Sequence, residues 1–156
     1  MTDTPWTIQM EIQIDPLEAD PIRLHAVVEA VLRRFRVRQA TVTITIVGDE
    51  QMRQVHTQFL KKRSTTDVMS FDLTDEFETT RTFEVVVNAE RAARQGRKRK
   101  HSVEAELALY ITHGLLHQLG FDDLEPELAR RMHQTEDAIL KKLGYGNVYF
   151  EGDREN

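Results

Sequence analysis

The chain has no cysteine, which excludes disulfides and thiolate metal sites and leaves histidine, aspartate and glutamate as the only strong ligands for a metal ion. It has no run near the roughly 20 apolar residues that a membrane span requires. Its N-terminal stretch MTDTPWTIQMEIQI lacks a basic region ahead of an apolar one, so a signal peptide is not expected and a cytoplasmic protein is. Positive charge is not in excess: the formal net charge is -5. Nucleic-acid binding would therefore need a local basic patch. One such patch is RAARQGRKRKH, residues 91 to 101, which by itself reads more readily as a solvated helix end and loop. Internal repeats, low-complexity tracts and linkers are absent too.

What is present is a soluble, globular composition, 40% hydrophobic and 30% charged over 156 residues, the size of a single domain. We take residues 1–150 as that domain and 151–156 as a polar C-terminal tail. Trp6, Ile8, Met10, Ile12 and Ile14 alternate with polar residues, the period of a half-buried strand. Asp20-Pro21 then opens a helix with Leu24, Val27, Val28, Val31, Leu32 and Phe35 inward. TVTITIV, 41 to 47, is a second strand, followed past Gly48 by a helix with Met52, Val55 and Phe59 inward. DVMSFDL, 67 to 73, and FEVVVN, 83 to 88, are two further strands. Asn88 caps a short helix ending near Gly96. Ser102 caps a helix from Val103 to Leu119, and Pro126 starts a last one through Leu143 with Leu128, Met132, Ile139, Leu140 and Leu143 inward. The expected fold is α+β, with about four strands in a mixed sheet packed with about five helices.

HGLLHQLGFDD, residues 113 to 123, is the stretch that can carry chemistry. Residues four apart on a helix lie one turn above each other, so His113 and His117 share a face and two imidazoles can share one ion. The helix is apolar on nearly every side, so it is expected to be central and buried. Buried imidazoles need partners, because an unsatisfied polar group costs a few kcal/mol. Gly114 in mid-helix, at about 1 kcal/mol relative to alanine, implies close access to the backbone there. It also removes the glutamate that follows the first histidine in HExxH peptidases. Beyond Gly120 either Asp122 or Asp123 can return as a third ligand, and two histidines with a carboxylate form a zinc set that leaves a position open. A helix running into an Asp-stabilised turn explains the same spacing. His25, His56, His101 and His133 are isolated, and each reads as a surface or ordinary hydrogen-bonding residue.

The segment resembles HGxLHLxGYDH, the signature of the YbeY family of metal-dependent endoribonucleases. STTDVMSFDL is similar to that family's PTDVLSFP, FEVVVNAERAARQ to its GDIVISVEVAxxQ, and MHQTEDAILKKLG to its closing MxxxExxIL helix, in the same order from about Val42 to Leu143. The resemblance implies His113, His117 and Asp123 as catalytic zinc ligands, one ion per chain. Asp123 takes the place of a third histidine, which lowers the net charge of the site by one and makes bound water less acidic. The arginine that usually follows the aromatic seven residues before the aspartate of TDV is Leu60 here, which has neither charge nor donor.

The function implied is hydrolysis of RNA phosphodiesters in ribosomal RNA maturation (3′-end processing of 16S rRNA) and ribosome quality control. The partners implied are ribosomal RNA, the small ribosomal subunit and a ribosome-assembly GTPase. Substrate contacts are expected from Arg63, Thr66, Asp67 and Ser70, along a groove reaching Phe71, and from Arg97, Lys98, Arg99 and Lys100, with Arg91 and Arg94 behind them. A different class of function is also open: a metal-stabilised ribosome-assembly factor with weak or lost nuclease activity, which Leu60 and Asp123 favour.

Overall fold

The structure is a computed structural model and describes residues 5–60, 67–146 and 148, with the backbone alone at 59 and 60. Strand β1 (Trp6–Ile12) is followed by helix α1 (Pro21–Arg34), β2 (Ala40–Val47), α2 (Asp49–Leu60), β3 (Val68–Asp72), β4 (Arg81–Asn88), α3 (Ala89–Arg99), α4 (Val103–Gln118) and α5 (Pro126–Lys142). The four strands form one mixed sheet in the order β1-β2-β4-β3, with β1, β2 and β4 parallel and β3 antiparallel to β4. This is the α+β fold expected. The tail at 151–156, with Arg63 and Thr66, lies outside the described residues.

Alternation sorts the strands between two unequal layers. Val42, Ile44 and Ile46 of β2 with Phe83, Val85 and Val87 of β4 face the main core, which α1, α4 and α5 complete through Leu32, Ile111, Leu115 and Leu140. Their neighbours Val47 and Val86 join Met52 and Met69 in a smaller cluster, to which Val55 and Phe71 are added. Ile12, expected inward, is 42% exposed at the edge of β1, and Leu128 is 37% exposed on α5. Each lies at an element end, where the periodic face has run past the core.

The helix starts follow local chemistry. Asp20 accepts from the Ile22 amide at 2.9 Å, Asn88 from those of Glu90 and Arg91 at 3.1 Å, and Ser102 from that of Ala105 at 3.0 Å, each satisfying an amide that the helix leaves open. One expected stop is displaced. Helix α3 runs past Gly96 to Arg99, and the left-handed residue is Lys100 at φ 62°. A Cβ on Gly96 would lie 2.7 Å from the His101 carbonyl oxygen, so this glycine makes room for the returning chain instead of terminating the helix.

Candidate metal centre and adjoining cleft

Helix α4 is buried on almost all sides, and Gly114 is the reason it can sit so low on the sheet. A Cβ there would be 2.9 Å from Val85 Cγ1 and 3.2 Å from Val68 Cγ2. The close access implied by a mid-helix glycine is therefore that of β3 and β4. With the Gly114 side on the sheet, His113 and His117 emerge on the side facing α5 and the loop after Gly120. Gln118, one residue on, donates from Nε2 to Ser70 Oγ at 2.9 Å and ties the helix to β3.

The imidazoles of His113 and His117 meet edge to face with centroids 4.7 Å apart. The loop beyond Gly120, which has φ 102°, turns back over them. Its two aspartates separate by role: Asp122 Oδ1 accepts from the Leu124 amide at 2.9 Å, an Asx turn. Asp123 Oδ2 lies 3.8 Å from His113 Nε2 and 3.8 Å from His117 Nε2. Donors bound tetrahedrally to one zinc at roughly 2.1 Å stand about 3.4 Å from one another, so small side-chain movements would bring these three onto an ion. Asp123 is 38% exposed at its side chain, which leaves one side of the group open. His113, His117 and Asp123 are accordingly a set that could hold a metal.

The other edge of His113 faces a carboxylate that sequence reading missed. Glu136 of α5, fully buried, places Oε2 2.5 Å from His113 Nδ1 and Oε1 2.8 Å from His133 Nδ1. His133 is therefore not isolated: its ring stacks on that of His113 at 6.1 Å and 11°. Burial by itself disfavours a charged His113, but the hydrogen bond and charge of Glu136 outweigh it and raise the pKa. For Glu136 burial again opposes charge, and the bonds from His113 and His133 prevail and lower its pKa. The signal for Glu136 was present in the chain: it falls on the inward stripe of α5, four residues after Met132, and is the glutamate of MHQTEDAIL.

A cleft of about 280 Å³ opens beside His113. Arg91, Gln95, Lys98 and Arg99 line it from one face of α3, Asp67 and Val68 from the start of β3, and Tyr110 from α4. Of the expected contacts, Asp67, Lys98 and Arg99 thus reach the cleft. Ser70 is committed to Gln118, Phe71 belongs to the smaller cluster, Arg97 is exposed, and Lys100 lines a separate depression beside Glu104 and Tyr145. Arg99 is also partly engaged, with Nη1 3.6 Å from the fully buried Glu106. Arg94 turns away to pair with Asp49.

A family model described as "Endoribonuclease YbeY" matches residues 9–144. Among curated proteins of that name, the one from Carboxydothermus hydrogenoformans is 33% identical over 132 residues, covering 83% of this chain and 92% of its own. The one from Aquifex aeolicus is 31% identical over 117 residues, covering 74% and 78%. A solution structure of a Thermotoga maritima protein superposes with a TM-score of 0.62 at 19% identity, covering 88% of this chain and 89% of that one, which is a likeness of fold.

Proposed function

Because this chain belongs to the endoribonuclease YbeY family, we propose that it is a metal-dependent endoribonuclease that hydrolyses RNA phosphodiesters, with one zinc ion held by His113, His117 and Asp123. The observation that carries this reading is the single carboxylate oxygen of Asp123 placed 3.8 Å from both imidazole Nε2 atoms, next to a cleft with Arg91, Lys98 and Arg99 on its wall. When bound, the ion would polarise a phosphoryl oxygen or a water.

The chain's own residues supply the rest. Lys98 and Arg91 attract and position the phosphate backbone by charge. Helix α3 holds them on one face with Gln95, so a strand lying in the cleft passes beside His113. Asp67, which lines the same cleft, repels phosphate by its charge and so favours a strand held against the cationic α3 wall. We place the activity in the cytoplasm, in ribosomal RNA maturation (16S rRNA 3′-end processing) and ribosome quality control, with the small ribosomal subunit and a ribosome-assembly GTPase as partners. A metal-stabilised ribosome-assembly factor with weak or lost nuclease activity is the second reading, favoured by Leu60 in place of a cation.

The deciding experiment is metal analysis of the purified protein and its His117→Ala variant, with RNA cleavage measured on both. Zinc and cleavage are expected in the first and neither in the second. Equal metal content would refute the ligand set, and equal cleavage would refute the nuclease. Metal loss without any cleavage in the wild type would favour the assembly role.

A further inference from the structure

Glu136 has no side-chain exposure and sits on an otherwise apolar stripe with Met132, Ile139 and Leu140. Burying a carboxylate there is costly unless both oxygens are satisfied. They are: Oε2 faces His113 Nδ1 at 2.5 Å and Oε1 faces His133 Nδ1 at 2.8 Å. An ionised carboxylate only accepts, so each ring presents an N–H to it. These three residues could also be considered as a second metal group, but 2.5 Å is too short for two donors around one ion, which stand about 3.4 Å apart. It is a hydrogen-bond distance.

A neutral histidine with its proton on Nδ1 carries its lone pair on Nε2. In His113 that is the atom facing Asp123. We propose that Glu136, itself held by His133, is a positioning residue that fixes the ring angle and tautomer of His113, so that Nε2 is the atom offered to the ion. His133 anchors the second oxygen and its ring lies nearly parallel to that of His113, so the carboxylate cannot rotate away without losing a bond. The inference rests on the proposed ligand set, yet the tautomer is a property of the metal-free protein.

Two measurements separate these claims. Imidazole nitrogen NMR of the metal-free protein, at a pH where His113 is neutral, should show His113 protonated at Nδ1. Zinc affinity, from competition with a chromophoric chelator, should fall by about 10- to 100-fold in Glu136→Gln, with His113 losing its single tautomer. His133→Phe keeps a stacked ring but removes the donor, so it should lower zinc affinity measurably, by about 3- to 10-fold, while His113 stays protonated at Nδ1. Protonation of wild-type His113 at Nε2, or unchanged zinc affinity in a folded Glu136→Gln variant, would overturn the proposal. If Glu136→Gln does not fold, unchanged zinc affinity in His133→Phe overturns it instead. Absence of zinc binding in the wild type would remove the ligand set, and the NMR result would still decide the tautomer.

Discussion

Gly114 and Val85 lie so close that a Cβ on the glycine would be 2.9 Å from Val85 Cγ1. This contact sets how near α4 lies to the sheet, and so where His113 and His117 emerge. Alanine at 114 would gain up to about 1 kcal/mol of helix propensity but overpack a rigid helix-on-strand contact at about 1–3 kcal/mol. We expect Gly114→Ala to be less stable and to bind zinc more weakly. Urea unfolding and zinc titration check this, and an unchanged midpoint would mean that the sheet yields.

Asp123 places one oxygen 3.8 Å from each of the two histidines, and its role in the proposed site depends on being a donor, whatever its charge. Asp123→Ala is therefore expected to lose most zinc affinity, by about 10-fold or more. Asp123→His should retain the metal, because imidazole is an equally good zinc ligand. Zinc content after gel filtration is the measurement, and retention by the alanine variant would remove Asp123 from the site.

RNA binding should weaken linearly with salt on logarithmic axes. Lys98→Ala and Arg91→Ala, on the cleft wall, should each reduce the slope by roughly 0.7 if each neutralises one phosphate of a single strand. Arg97→Ala, away from the cleft, should leave the slope unchanged. Binding isotherms at several salt concentrations would show this, and equal slopes for all three variants would argue against the cleft as the RNA path.

Arg94 forks onto Asp49 at 2.6 and 2.9 Å, and Asn88 Nδ2 donates to the same carboxylate at 2.9 Å, joining α2, β4 and α3. The Arg94 bond leads in holding the Asp49 pKa below its ordinary 3.8. A carboxylate depressed in the folded state contributes stability in full above 3.8, and that stability is lost as pH falls through the folded value. Both side chains are partly exposed, so the contribution is at most about 1 kcal/mol. Asp49→Asn should flatten the acid side of the stability profile, as thermal unfolding between neutral pH and pH 3 would reveal.

Much of this protein was legible along the chain. Period-two alternation marked β1 and β2, and the caps Asp20, Asn88 and Ser102 marked three helix starts, because these are local effects between residues a few positions apart. The four-residue spacing of His113 and His117 likewise implied a shared face before any tertiary contact was known. Helix α3 runs on past Gly96, near which its end was expected, because glycine serves both as a helix stop and as a site of close approach, and the neighbour that decides between them, His101, packs there only once the chain has turned.

The placing of Asp123 against both histidines depends on the loop after Gly120 folding back over α4, and the reach of Glu136 to His113 and the recruitment of His133 depend on α5 packing against α4, across 6 to 23 residues of chain. The same holds for the division of the basic patch, where Lys98 and Arg99 line the cleft and Arg97 and Arg94 do not. Periodicity assigns a residue to a face of its own helix. Which oxygen meets which nitrogen is settled by the packing of that helix against others, through steric limits such as the bare Cα of Gly114, and those are distances between residues that the order of the chain leaves unspecified.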